Sequence, residues 1–146
     1  MGGFASSEET PQRQEIMRIA VDTNVLVRAV VQDDPKQAEV ASKTVKAEML
    51  AIGTSCLCEF VWVLRRVYGF RPSAVAAALR ELLAAANVAA DRPAVEAGLA
   101  MLDAGGDFAD GVIAYEGRWL GGETFVSFDA KAVEMLKAQG QSVRLL

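Results

Sequence analysis

Four acidic side chains occupy positions in the sequence where a charge needs a specific role. They are Asp22, Glu59, Asp110 and Asp129. Asp22 follows the apolar run 19–21 and Asp129 follows the largely apolar run 125–128, so each would stand at a strand end, where it could also cap the next helix. Carboxylate oxygens are the ligands that hard cations such as Mg²⁺ and Mn²⁺ prefer. Brought to one edge of a domain, the four would form a metal site able to activate water.

Glu59 is the acid for which a purely structural role is hardest to argue. It is the only charged residue between Glu48 and Arg65, and its helical neighbours three and four positions further on are Trp62 and Val63. This spacing predicts that Glu59 points along an apolar stripe and is buried. A buried carboxylate needs a cation or a dense set of hydrogen-bond donors. The alternative is a first-turn position, where the helix dipole favours an acid.

Asp110 is a second acid that the sequence predicts to be buried on a helix. It would share a helix face with Ile113 and Ala114 and point inward, and Asp107 lies one turn earlier on nearly the same face. Two carboxylates this close repel each other and raise each other's pKa unless a cation lies between them. A divalent metal ion is the simplest such cation, although Asp107 could instead serve as a helix N-cap.

The composition restricts the chemistry further. The chain has 146 residues, 52% of them hydrophobic, which suits one globular domain with a sizeable core. It contains no histidine, which excludes Ser-His-Asp and Cys-His hydrolysis and nearly all zinc catalysis. Its net charge of −4 argues against a basic DNA-coating surface. Two cysteines, Cys56 and Cys58, are expected to be buried packing residues in a reducing, cytoplasmic compartment.

The elements that must position these residues alternate along the chain. Strands are predicted for the short apolar runs 18–22, 49–54, 87–90, 124–128 and 142–146. Helices are predicted for 25–30, 35–47, 55–69, 72–86, 91–105, 107–120 and 130–136. This alternation indicates βαβ units and a parallel sheet, with a site at the carboxyl ends of its strands. Residues 1–16 are polar and are expected to form a flexible extension before a single domain, 17–146. No uncharged stretch approaches the roughly 20 apolar residues of a membrane span, so no membrane association is expected.

Four segments resemble the signatures of PIN-domain nucleases, and most of all the VapC-type toxins of prokaryotic toxin–antitoxin pairs. The segments are 22–26 (DTNVL), Glu59 at the start of an apolar helix, 107–114 (DFADGVIA) and 125–129 (FVSFD). The resemblance spans about 17–146 and implies a three-layer α/β domain with a central parallel sheet flanked by helices. It implies metal ligation by Asp22, Glu59, Asp110 and Asp129, with Asp107 as an accessory acid. Gly111 departs from the pattern, since alanine is common there.

The resemblance implies hydrolysis of RNA phosphodiester bonds with Mg²⁺ or Mn²⁺, a homodimer, and a small antitoxin lying over the acidic groove. Asn24 and Ser127 are suited to orienting the ligand carboxylates, or else form local turn hydrogen bonds. Arg66, two helical turns beyond Glu59, is a candidate contact for RNA phosphate. Trp62 and the neighbouring aromatic residues are expected in the core or at an oligomer interface.

Two alternatives stay open. A degenerate PIN module would bind RNA or a protein partner without cleaving. A haloacid-dehalogenase-like phosphotransferase also begins with a strand-end aspartate, but its second aspartate would fall at the position of Asn24.

Overall fold

The computed structural model describes residues 17–146, in which five strands and seven helices alternate. The strands are β1 (Ile19–Ala20), β2 (Leu50–Ile52), β3 (Val88–Ala90), β4 (Thr124–Ser127) and β5 (Ser142–Leu145). The helices are α1 (Thr23–Val30), α2 (Pro35–Ala47), α3 (Thr54–Arg66), α4 (Pro72–Ala84), α5 (Arg92–Asp103), α6 (Phe108–Trp119) and α7 (Ala130–Ala138). The predicted flexible extension, residues 1–16, lies outside the described residues.

All strand pairs between residues 17 and 146 are parallel. Strand β2 lies between β1 and β3, with Leu50 opposite both Ile19 and Val88. Strand β4 pairs with β5, with Thr124 opposite Ser142. The helices that connect these strands confirm the predicted three-layer α/β architecture. The backbone hydrogen bonds divide the strands into a group of three and a pair, a division that the sequence pattern did not predict.

The helix boundaries follow the turn chemistry of the sequence, except that α1 begins at Thr23 rather than at 25 and α3 ends at Arg66 rather than at 69. Asp34 caps α2 by accepting a 3.2 Å hydrogen bond from the Gln37 amide, and Pro35 is the first helical residue, as predicted. Helix α3 begins at Thr54, one residue before its predicted start, so Ser55 lies inside the helix. The cap position belongs to Gly53, whose extended backbone leads directly from β2 into the helix without a side-chain hydrogen bond.

The core is built around α3. This helix buries Leu57, Phe60, Val61 and Leu64, which pack with side chains of α1, α4, α5 and α6. A smaller apolar cluster around Met101 and Leu136 lies beneath the β4–β5 pair. Cys56 and Cys58 are partly buried against the main core, as expected for packing residues. No helix between residues 17 and 146 is long and apolar enough to cross a membrane.

Helices α5 and α6 approach each other at backbone distance. A Cβ atom added to Gly111 would collide with the carbonyl oxygen of Ala97 and lie 2.9 Å from the Cα of Gly98. A Cβ atom on Gly98 would in turn enter the ring of Phe108. Because Gly111 follows Asp110 directly, this contact fixes the helix turn that carries a candidate site residue.

Candidate active site

Three of the predicted site acids lie in one cleft. Asp107, Asp110 and Asp129 line a cavity of about 330 Å³ bordered by α3, α6 and α7. Burial raises the pKa of Asp110 above its ordinary value, and the negative charges of Asp107 and Asp129 raise it further. Asp107 and Asp129 are therefore close enough to Asp110 to influence its ionisation.

Three site acids are also helix N-caps, the structural role that the sequence left open for them. The Oδ1 of Asp22 accepts a hydrogen bond from the Val25 amide at 3.3 Å, and the Oδ1 of Asp107 accepts one from the Ala109 amide at 3.1 Å. Asp129 Oδ1 accepts two amide hydrogen bonds at the start of α7, at 3.0 and 3.2 Å. None of the three Oδ2 atoms accepts a hydrogen bond from a residue in 17–146. Capping therefore orients each carboxylate while leaving one oxygen available for a ligand.

Glu59 is exposed, which corrects the expectation that it is buried. The buried stripe of α3 runs through Leu57, Phe60 and Leu64, so Glu59 and Trp62 lie outside it. Trp62 was expected in the core or at an oligomer interface, and its 57% exposure excludes the core. Glu59 thus projects from the surface of α3, on the same helix face as Trp62.

A hydrogen bond connects Glu59 to α1. The Thr23 hydroxyl donates to Glu59 Oε1. Burial raises the pKa of the neighbouring Cys56 thiol, its hydrogen bond with Thr23 lowers it, and the charges of Glu59 and Asp22 raise it. Asp22 and Glu59 therefore form a second acidic group around Thr23 and Cys56. Sequence reasoning missed Thr23, although a hydroxyl residue directly after a strand-end acid is a signal that could have found it.

A second cross-helix contact joins α3 to α6. Glu116 is partly buried and accepts a 2.9 Å hydrogen bond from the Thr54 hydroxyl. Burial raises the pKa of the Cys58 thiol to about 11, and the charges of Glu116 and Asp107 contribute to the rise. The bond ties the first turn of α3 to the helix that carries Asp110.

The two predicted orienting residues differ in their placement. Ser127 Oγ accepts a 2.9 Å hydrogen bond from the Asp129 amide, which is the local turn bond left open by the sequence. Asn24 is exposed and lines a groove between α1 and α2 with Arg28 and Lys36, away from the residues that line the acidic cleft. The structure therefore brings Ser127 to a site acid and leaves Asn24 outside the cleft.

The candidate carboxylate ligands have the chemistry that a hard divalent cation prefers, but they do not surround one point. Within residues 17–146, no three acidic or cysteine side chains converge as a group that could hold a metal ion. The candidate ligands are carboxylates with a free oxygen. Burial and the charges of Asp107 and Asp129 raise the pKa of Asp110, and a bound cation would offset both effects. The residues thus fit a metal ion if their side chains move together on binding it.

Cationic and aromatic side chains complete the cleft. Arg65, Arg66 and Lys131 line it with Trp62. The structure therefore places Arg66 in the same cleft as Asp107, Asp110 and Asp129.

A comparison with protein families finds one match, to the PIN domain, over residues 19–135. A comparison with curated proteins finds no significant match. The family match covers most of the chain and includes all five acids discussed above, Asp22, Glu59, Asp107, Asp110 and Asp129. The chain therefore belongs to the PIN domain family, a generally nucleolytic fold whose members generally use divalent metal ions.

Proposed function

We propose that this protein is a metal-dependent endoribonuclease that hydrolyses RNA phosphodiester bonds with Mg²⁺ or Mn²⁺. The observation that carries the proposal is the cleft that Asp107, Asp110 and Asp129 line together, in which burial and the charges of Asp107 and Asp129 raise the pKa of Asp110. Structural acids are normally arranged to avoid such repulsion, and a bound divalent cation would relieve it. Membership of the PIN family supports the same reaction.

In this proposal Asp22, Glu59, Asp110 and Asp129 hold the metal ion, and Asp107 is an accessory acid. When bound, the ion supplies Lewis acidity toward a phosphate oxygen and lowers the pKa of a bound water molecule. Hydrogen bonds from backbone amides orient the carboxylates of Asp22 and Asp129, and a hydrogen bond from the Thr23 hydroxyl orients Glu59. Asp110 has to lose its proton to act as a ligand. Because its pKa is raised, it does so at a higher pH than an ordinary aspartate.

The direct test is cleavage of single-stranded RNA by the full chain with Mg²⁺, with Mn²⁺ and with EDTA. Activity is expected with either metal and none with EDTA. Asp110→Asn should abolish cleavage, whereas Asp34→Asn is the matched control because Asp34 caps α2 and does not line the cleft. Cleavage that persists in EDTA, or that Asp110→Asn leaves unchanged, would contradict the proposal.

A non-catalytic PIN module that binds RNA or a protein partner is the second candidate function. It is favoured by one observation, namely that no three carboxylates in residues 17–146 converge on a common point. Calorimetric titration with Mn²⁺ separates the two functions. A catalytic site should bind the ion and lose that binding in Asp110→Asn, while a degenerate module should bind no ion in either protein.

We also propose a biological role as a VapC-type toxin of a type II toxin–antitoxin pair, acting in the cytoplasm. The support is the similarity of four sequence segments to those toxins, and the acidic cleft is a surface that a small antitoxin could cover. Sequencing the neighbouring open reading frame tests this role, since a short gene for a DNA-binding antitoxin is expected beside the toxin gene.

A homodimer is part of the same proposal. Trp119, Leu120 and Phe128 are each more than 80% exposed, and apolar side chains of this size commonly mark contact surfaces. Sedimentation should therefore give twice the mass of one chain. We further propose that residues 17–146 carry the nuclease activity, so a chain that begins at Met17 should cleave RNA as the full chain does.

A further inference from the structure

Trp62 is an exposed aromatic side chain at the edge of the acidic cleft. Its indole is 57% exposed, although it belongs to the helix around which the core is built. The neighbouring positions Val61 and Leu64 are buried, so α3 has its own apolar face and does not need Trp62 for packing. A large flat side chain left in water beside a candidate active site requires a different explanation.

The charges around Trp62 favour an anionic ligand that also has a flat apolar part. Arg65 and Arg66 follow Trp62 by three and four residues on α3, and Lys131 lies across the same cleft. None of these three cations forms an ion pair with another residue in 17–146. Helix α3 therefore contributes Trp62 and two arginines to the cleft, whereas the α6 and α7 side contributes the carboxylates together with Lys131.

From this arrangement, and resting on the proposed nuclease function, we infer that Trp62 is a stacking platform for an unpaired base of the RNA substrate. The base packs on the indole while Arg65, Arg66 and Lys131 bind the adjoining phosphates. This combination of an aromatic face with a cationic groove is how proteins bind single strands without reading their sequence. The bound strand then runs past the carboxylates of Asp110 and Asp129.

Stacking on Trp62 requires a base that is unpaired in the substrate. In a duplex both faces of each base are already stacked on their neighbours, so the indole has no free face to contact. The stack should be tolerant of base identity, because every base has an aromatic face.

The test uses the fact that the chain has two tryptophans, Trp62 and Trp119. Trp119 is 81% exposed and does not line the cleft, so the two residues control for each other. In Trp119→Phe all tryptophan fluorescence comes from Trp62, and in Trp62→Phe all of it comes from Trp119. A short oligouridylate is added to each protein in EDTA, where metal-dependent hydrolysis is off. Quenching is expected in Trp119→Phe and absent in Trp62→Phe.

Affinity provides the second readout. Fluorescence anisotropy of the labelled oligouridylate should show binding to Trp62→Ala that is roughly 5- to 150-fold weaker than binding to the wild type, the range for loss of one base–aromatic stack. Trp119→Ala should bind as the wild type does. Pairing the oligouridylate with oligoadenylate should remove the quenching of Trp62. Because Trp62 is outside the core, thermal unfolding of Trp62→Ala should match that of the wild type.

The outcomes separate this inference from the nuclease proposal. If RNA is cleaved but Trp62→Ala binds and cleaves as the wild type does, the stacking platform is wrong and the nuclease stands. If Trp62 is quenched but no RNA is cleaved with any metal, the nuclease is wrong and the binding site stands. If Trp62→Ala turns a dimer into a monomer and leaves the oligouridylate affinity unchanged, Trp62 contacts a second copy of the chain and the inference is overturned.

Discussion

Asp110 is held differently from the other acids of the cleft. Asp107 and Asp129 each accept amide hydrogen bonds at a helix start, whereas the Asp110 carboxylate accepts none from residues 17–146. It lies in the first turn of α6, partly buried, between the charges of the other two acids. Its charge is therefore the least compensated in the cleft, which makes Asp110 the acid most dependent on a bound cation.

This difference predicts opposite outcomes for two neighbouring substitutions. Asp110→Asn removes a proposed metal ligand and should reduce RNA cleavage to near background while the protein still folds. Asp107→Asn should keep measurable activity, with a loss of about 10- to 100-fold at most, because asparagine still caps α6 and an outer partner of a metal site has effects of that size. Cleavage assays at saturating Mn²⁺ measure both. An inactive Asp107→Asn beside an active Asp110→Asn would reverse the two roles.

The pH dependence of stability should carry the signature of Asp110. Its raised pKa means that the folded, metal-free protein holds the Asp110 proton more tightly than the unfolded chain does. The resulting stabilisation is complete below the ordinary aspartate pKa of 3.8 and is lost as pH rises through the raised folded value. The asparagine in Asp110→Asn cannot ionise. As pH rises through this window, the free energy of unfolding of the variant should therefore increase relative to that of the wild type. Urea unfolding in EDTA between about pH 3 and pH 7 measures the difference, and a difference independent of pH would contradict the prediction.

At the scale of elements, the position of Asp110 depends on how closely α5 and α6 pack. Gly98 and Gly111 allow backbone contact between these helices, and the ring of Phe108 fills the space that a side chain on Gly98 would need. The alanine that the resemblance to PIN-domain nucleases leads us to expect at position 111 would not fit here. Glycine at position 111 is therefore explained by the close packing of this helix pair. The same packing positions the acids of the cleft.

Gly111→Ala should therefore destabilise the protein although alanine favours helices. The added methyl group has backbone atoms of Ala97 as its neighbours, and overpacking of this kind costs about 1–3 kcal/mol of unfolding free energy. Gly117→Ala is the matched control, because it lies in the same helix and its added Cβ would meet nothing within 4 Å. That control should gain about 0.5–1 kcal/mol from helix propensity. Equal effects of the two substitutions in urea unfolding would show that α5 and α6 separate easily.

For the whole molecule, the candidate ligands are distributed over two groups of helices. Asp22 and Glu59 belong to α1 and α3, while Asp110 and Asp129 belong to the α6–α7 side of the cleft. Among the described side-chain hydrogen bonds, Thr54–Glu116 joins α3 to α6. A cation bound by both groups of acids would add a second connection between these parts of the domain. Metal binding is therefore expected to stabilise the fold as a whole.

Thermal unfolding should show this stabilisation directly. At a tenfold excess of Mn²⁺ over its dissociation constant, the native state should gain about 1.4 kcal/mol, which raises the Tm of a domain this size by roughly 5 °C. Asp110→Asn should lose most of the shift, and Asp34→Asn should keep it. A Tm that does not respond to millimolar Mg²⁺ or Mn²⁺ would count against the metal site.

The sequence by itself determined the features that depend on local chemistry. The start of α2 at Asp34-Pro35 follows from capping and from the restricted backbone of proline, which act within one turn. The strand-end acids Asp22 and Asp129 were found in the same way, because their neighbours in the chain define both the strand and the following turn.

Only the tertiary structure decided which helix faces are buried and which acids meet. Glu59 and Trp62 were placed together on one face by helical spacing, but spacing does not say whether that face or the one through Leu57 and Leu64 packs inward. The same limit applies to Thr23 and Glu59, 36 residues apart in the chain, whose hydrogen bond exists only because α1 packs beside α3. Burial is a property of the neighbouring elements, and the free energy that selects one packing arrangement comes from the whole core, so no segment of the sequence contains it alone.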